Sequence, residues 1–196
     1  MEAIEKIIEQ LDLEANLTVD EIPKIDLYMD QVIQLFENKF ANAKRNDEEK
    51  VLTKTMINNY AKGKLIFPIK NKKYSKEHLI LISLIYQLKG GLSISDIKTT
   101  LDDFNKRIVN GELDVDSFYT SYLNLTERNV ADFKHDIVQR VQEVKEEMTD
   151  GQDETSAHLE QVLMIAALVH MSSLYRKVAE KLVDGITIEK EAKRQK

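Results

Sequence analysis

Apolar residues recur at helical spacing along most of this 196-residue chain. Met1, Ile4, Ile7, Ile8 and Leu11 mark one face of an amphipathic helix at the start. A second helix is expected over residues 25–40, with Leu27, Val32, Leu35 and Phe36 turned to a core and Asp26 as its N-cap. Thr53 is a good N-cap for a short third helix that buries Met56, Ile57 and Tyr60 and ends near Gly63. Its outer face is then Lys54, Thr55, Asn58, Asn59 and Lys62, cations and small polar groups without a carboxylate. The period changes next. Phe67, Pro68 and Ile69 read as extended chain, Asn71-Lys72 as a turn and Lys73-Tyr74 as a short returning strand, together a two-strand wing near residues 65–74. Ser75 caps a helix whose Leu79, Ile82, Leu84, Ile85 and Leu88 require deep burial, and Gly90-Gly91 stop it. Ser93 and Asp96 are spaced as a capping box for another helix, with Ile94, Ile97 and Leu101 along one side.

Beyond Phe104 the pattern predicts a link over residues 105–116, with a turn at Asn110-Gly111, and then one or two helices over residues 117–148. The segment TDGQDETS, residues 149–156, breaks the chain. A final helix from about residue 156 to 183 carries Val162, Leu163, Ile165, Leu168, Val169, Met171 and Leu174 on nearly all sides, so it needs partners from its own chain or a second subunit. Its ten-residue run VLMIAALVHM contains a histidine and is too short to cross a bilayer; a buried helix, and no membrane contact, is expected. The expected fold is therefore mainly all-α with a small β-wing. Three parts follow: an N-terminal amphipathic helix in residues 1–21, a winged helical domain in 22–104, and a C-terminal helical domain in 114–196.

Composition supports this reading and excludes much chemistry. Two prolines and six glycines suit helices, and 42% hydrophobic residues suffice for a core. The absence of cysteine removes disulfides and thiolate chemistry, and the charged N-terminus lacks the apolar run of a signal peptide. A cytoplasmic location is expected. The histidines, His78, His135, His158 and His170, form no i, i+4 metal pair, and His158 and His170 point roughly 120° apart on a helix. Glu154 with His158 reads as a surface pair, and Glu146-Glu147 as a solvated face. With no P-loop, dinucleotide fingerprint or nucleophile elbow, no catalytic residue, metal or cofactor is expected, and the chain reads as a non-enzyme. Charge is the informative feature: within a net −6, residues 50–98 hold ten lysines against only Glu77 and Asp96. Such regional polarity predicts an anionic partner for the block, the plainer alternative being a solvated lysine surface.

Residues 53–101 resemble the DNA-binding domain of MerR-type bacterial regulators. The resemblance lies in TMINNY at 55–60, KLIFP at 64–68, YSKEHL at 74–79 and GLSISDI at 91–97. The longer span 22–101 resembles more closely still a bacterial domain family of unknown function, number 1836, for which a MerR-like fold is inferred. The resemblance implies a MerR-like winged helix-turn-helix with its recognition helix near residues 53–62, a transcriptional regulator binding double-stranded DNA, and a homodimer through the C-terminal helices. It also allows a small-molecule effector, an apolar chamber between those helices being the expected place. The implied DNA-binding residues are Lys54, Thr55, Asn58, Asn59, Lys62, Lys70, Lys72, Lys73 and Lys76. Two departures stand out: a long connection over residues 42–52 and the lack of arginine in helix and wing, where lysine contacts phosphate without the fork that reads guanine. Asn58 or Asn59 would then read adenine through its amide and Thr55 a thymine methyl or a phosphate, favouring A·T-containing sites. The lysines would neutralise about six phosphates, for a log–log salt slope of roughly −5. Tyr60 and Tyr74 are expected to pack rather than stack on bases. The alternative is a winged-helix protein-interaction module without DNA binding, its lysines docking an acidic partner.

Overall fold

A computed structural model describes residues 2–148 and 154–194. Helix α1 spans Glu2–Gln10, and an irregular segment leads to the two-residue strand β1 (Leu27–Tyr28) and helix α2 (Met29–Lys39). The sequence pattern places Leu27 in that helix and Asp26 at its cap; instead the chain stays extended through Tyr28. The reason is tertiary: β1 pairs antiparallel with β2 (Lys73–Tyr74), Leu27 opposite Tyr74 and Tyr28 opposite Lys73. Helix α2 starts one residue later, where the Tyr28 N–H donates to Gln31 Oε1 at 2.8 Å. Val32 and Phe36 are fully buried, while Leu35 is half-buried.

The long connection after α2 contains a 3-10 turn, Ala41–Ala43, and is anchored by one side chain. Glu37 accepts from the N–H of Val51 at 2.8 Å and of Leu52 at 3.3 Å, and pairs with Lys44 at 2.7 Å. Burial alone would raise its carboxyl; the hydrogen bonds from Lys44, Leu52 and Val51 outweigh that and hold it below the usual range. Val51 and Leu52 thereby enter the core at the foot of helix α3 (Lys54–Lys62).

Helix α4 (Lys76–Leu88) is the centre of the fold. Leu79, Ile80, Leu81 and Ile82 are all fully buried, so every side of this helix is covered, and each such side chain contributes about 1.5–3 kcal/mol. Helix α5 (Ile94–Asn110) opens with the expected capping box, the Ser93 hydroxyl accepting from the Asp96 N–H at 3.2 Å and the Asp96 carboxylate from the Ser93 N–H at 3.3 Å. Ile97 and Leu101 are buried, but Ile94 is exposed, contrary to expectation. No link follows Phe104: the helix runs on to Asn110 and ends where Gly111 takes a left-handed φ of 70°. The expected boundary fails because Asn105 keeps the helix attached to the core, donating to Leu65 O at 2.8 Å and Leu101 O at 3.0 Å.

Residues beyond Gly111 form one helix, α6 (Val115–Glu147), and a second long one, α7 (Glu154–Arg194). The expected break over 149–156 falls largely on residues 149–153, outside the described residues. The start of α6 completes a head that shares one core with β1, β2 and α2–α5: Tyr119 is buried, shares a 2.9 Å hydrogen bond with Ser83 of α4 and donates to Leu17 O at 2.7 Å. Burial first, against the Ser83 bond, pushes its phenol up to about 12. Helix α7 packs on α6 and, near its end, on α5, where Lys190 Nζ reaches Asp102 Oδ2 at 3.2 Å and Thr99 O at 3.1 Å. It is not the buried helix expected: Val162, Ile165, Val169, Val178, Leu182 and Ile188 are all exposed. An 18-residue window within Ser156–Ala192 reaches a mean hydropathy of 1.3 with none of it buried, so length and apolarity alone would permit a membrane span.

Candidate nucleic-acid interface

Helix α3 is built to show one face. The Thr53 hydroxyl accepts from the Met56 N–H at 3.1 Å, Ile57 and Tyr60 anchor the helix in the core, and Lys54, Thr55, Asn58, Asn59 and Lys62 stand exposed on the other side. Lys54 to Lys62 spans roughly 12 Å of helix, a length that suits a groove. Among the described residues only Lys54 of this face has a charged partner, Asp30 at the start of α2, at 2.8 Å; both ends are well exposed, so the pair contributes little.

The wing differs from the expected hairpin. Its returning arm, β2, pairs with β1, and residues 67–69 pair with no strand; the remaining link is a bridge between Lys70 and Lys73. The turn itself is where expected. Asn71 and Lys72 have φ of 51° and 59°, and the Lys73 N–H donates to Lys70 O at 2.9 Å, the geometry of a type I′ turn. Lys70 and Lys72 project into solvent, while the Lys73 ammonium sits 5.2 Å from the Tyr28 ring centre.

His78 holds the base of the wing. Its Nδ1 accepts from the Ser75 N–H at 3.1 Å, so Nε2 carries the proton and donates to Phe67 O at 3.2 Å. Its ring packs against Phe67, tilted by 39° with centres 3.8 Å apart, and meets Tyr74 edge-on at 5.9 Å. Burial is the main influence on this imidazole and lowers its pKa below 6.5, against smaller opposing effects from the Phe67 carbonyl, Glu77 and Asp26.

Strand β1 joins the two halves. Tyr28 touches Lys73 of the wing, and Asp30, two residues on, touches Lys54 of α3, so these contacts run in one chain from wing to helix. Lys54 and Lys73 make these contacts themselves, while Thr55, Asn58, Asn59 and Lys62 are exposed on α3 and Lys70 and Lys72 at the turn of the wing. Lys76 turns to α6 instead and pairs with Asp116 at 2.6 Å. Lys89, also in the basic block, is half-buried; it donates to Val51 O at 3.2 Å and lies 4.4 Å from the Tyr86 ring centre. The block is thus divided between an open face and internal duties. Tyr60 and Tyr74 are packing residues, both buried. Tyr28, more than half exposed between helix and wing, escaped the sequence pattern because a two-residue strand shows no period. Among the described residues no group of three or more His, Asp or Glu side chains is placed to hold a metal.

No curated protein and no solved structure matches the chain. One family model matches residues 17–122, more than half of the sequence, and its limits fall close to Leu17 and Tyr119, which the 2.7 Å hydrogen bond ties together. The chain belongs to the family described as Domain of unknown function (DUF1836).

Proposed function

We propose that this protein is a DNA-binding transcriptional regulator whose head is a MerR-like winged helix-turn-helix. One observation carries the reading: the exposed, carboxylate-free face of α3 is joined through Asp30, Tyr28 and Lys73 to a wing tip bearing Lys70 and Lys72. In this reading α3 lies in the major groove, with Asn58 or Asn59 pairing with adenine and Thr55 meeting a thymine methyl or a phosphate. Lys54, Lys62, Lys70, Lys72 and Lys73 bind flanking phosphates and fix the register. Tyr28 supplies a further phosphate contact through its hydroxyl. The exposed apolar residues of α7 pair with those of a second copy, giving two recognition helices for a two-fold site. A membrane is the poorer partner for this helix, because α6, packed along it, carries the Arg140–Asp136 and Gln142–Glu146 pairs.

Selection of bound sequences from a random duplex pool, read by gel shift at low and moderate salt, tests the proposal. The expected result is enrichment of A·T-containing sites, with Asn58→Ala or Asn59→Ala relaxing the preference at one position. Absence of DNA binding at low salt, together with binding of an acidic polypeptide blocked by Lys72→Gln, would establish the protein-interaction module instead.

A further inference from the structure

Helix α2 ends at Lys39 and α3 begins at Lys54, where a helix-turn-helix commonly uses a turn of about three or four residues. Most of the extra length is an excursion closed at its base by one carboxylate. Glu37 pairs through Oε2 with Lys44 at 2.7 Å and accepts through Oε1 from the Val51 and Leu52 N–H groups, at 2.8 and 3.3 Å. Residues 45–50, between these points, are exposed and bond among themselves, Arg45 N–H to Glu49 Oε2 at 2.9 Å and Glu49 N–H to Asn46 Oδ1 at 3.0 Å. Val51 is gripped from its other side too. Its carbonyl accepts from Lys89 Nζ at 3.2 Å, at the end of α4. That ammonium lies 4.4 Å from the centre of the Tyr86 ring, which packs on Phe40 with centres 4.5 Å apart. The buried peptide groups that lead into α3 are therefore held by two ions of opposite sign, one from α2 and one from α4, and hydrogen bonds to ionised groups are about twice as strong as neutral ones. Thr53, next in the chain, caps α3. The far end is fixed as well: Leu65 N–H donates to Tyr60 O at 2.9 Å, and Leu65 O accepts from Asn105 of α5 at 2.8 Å.

We infer that Glu37 and Lys89 are positioning residues for α3: they set the angle at which it is presented, and the excursion over 45–50 does not. What that angle serves rests on the DNA-binding reading. Freed at Val51, α3 pivots about Leu65, and a tilt of about 10° moves Asn58, roughly 10 Å away along the helix, by about 2 Å. A bidentate amide contact to adenine tolerates a misplacement of only about 0.5 Å. Lysine meets phosphate as a point charge on a flexible stem and follows the shift. Loss of the clamp thus removes base reading before it removes affinity.

Residual dipolar couplings of the deuterated full chain, without DNA, measure the angle between α3 and α4. Glu37→Leu and Lys89→Met should each tilt α3 by about 10° or more while α2, α4 and α5 keep their mutual angles, and should speed amide hydrogen exchange at Val51 and Leu52. Lys89→Met keeps an unbranched stem against Tyr86 and decides alone where Glu37→Leu does not fold. Glu37→Gln, which retains an acceptor for both N–H groups, and Asn46→Gly with Glu48→Gly in the excursion should leave the angle as in the parent. Gel-shift affinities for a selected site and for a scrambled duplex give the second readout. Their ratio should fall about tenfold in the two clamp variants, the worth of one base contact, with the salt slope on the scrambled duplex unchanged. A role in stability alone would lower both affinities together. An unchanged α3 angle in Lys89→Met, an equal tilt in the glycine variant, or a tilt that leaves the ratio intact would overturn the inference. A parent protein without sequence preference would refute the DNA-binding proposal alone, since the couplings decide the positioning without DNA.

Discussion

Replacing Lys72 and Lys73 together by glutamine tests the interface through its response to salt. Six lysines are expected to meet phosphate on sequence grounds, but Lys76 pairs with Asp116 of α6, leaving Lys54, Lys62, Lys70 and Lys72 exposed and Lys73 partly exposed beside Tyr28. Each phosphate neutralised adds about 0.9 to the magnitude of the log–log slope, so about five contacts give roughly −4.5 per head. The double variant removes two of them and should lower the magnitude to roughly 2.7. Between 50 and 200 mM salt, affinity should then fall roughly 500-fold for the parent protein and roughly 40-fold for the variant. Fluorescence anisotropy of a labelled duplex at four or five salt concentrations measures both slopes. Lys76→Gln is the internal control and should leave the slope where it was. If Lys76→Gln flattens the response as much as the wing variant does, or if the wing variant keeps the parent slope, the division of the basic block described above is wrong.

Lys72→Gly should raise stability by about 0.5–1 kcal/mol, because glycine suits the φ of 59° in a type I′ turn, while weakening DNA binding; calorimetric Tm and anisotropy together check the trade. His78 should make the head acid-sensitive. Its folded pKa lies below the 6.5 of the unfolded chain, so its contribution is fully present above 6.5 and is lost as pH falls from there through the folded value. Urea denaturation at steps from pH 7.5 to 5.0 should show that loss, and His78→Leu should remove this component of the pH dependence. Val169→Glu with Val178→Glu on exposed positions of α7 should convert a dimer to a monomer in light scattering with the helical circular dichroism retained.

Helix positions were largely legible because each rests on local chemistry. Thr53, Ser75 and Ser93 start α3, α4 and α5, and Gly111 ends α5, through hydrogen bonds or φ values spanning only a few residues. The outer face of α3 followed from the same logic, since burying Ile57 and Tyr60 leaves the other positions in water. The Asn71-Lys72 turn was legible for the same reason.

Tertiary packing decided what local pattern could not. A strand of two residues has no readable period, so the pairing of Leu27–Tyr28 with Lys73–Tyr74, and with it the exposed place of Tyr28, depends on segments distant in sequence. Long-range partners also divided the lysines: residue type alone does not distinguish Lys72, free at a turn, from Lys76, held by Asp116, or Lys89, drawn to the Val51 carbonyl. The same holds for α7, whose apolar composition required a partner but did not specify whether its own chain would supply one. Composition and capping thus determined where helices form, because those energies are local. Which charges remain free, and which apolar face remains uncovered, was decided only when separate segments came together.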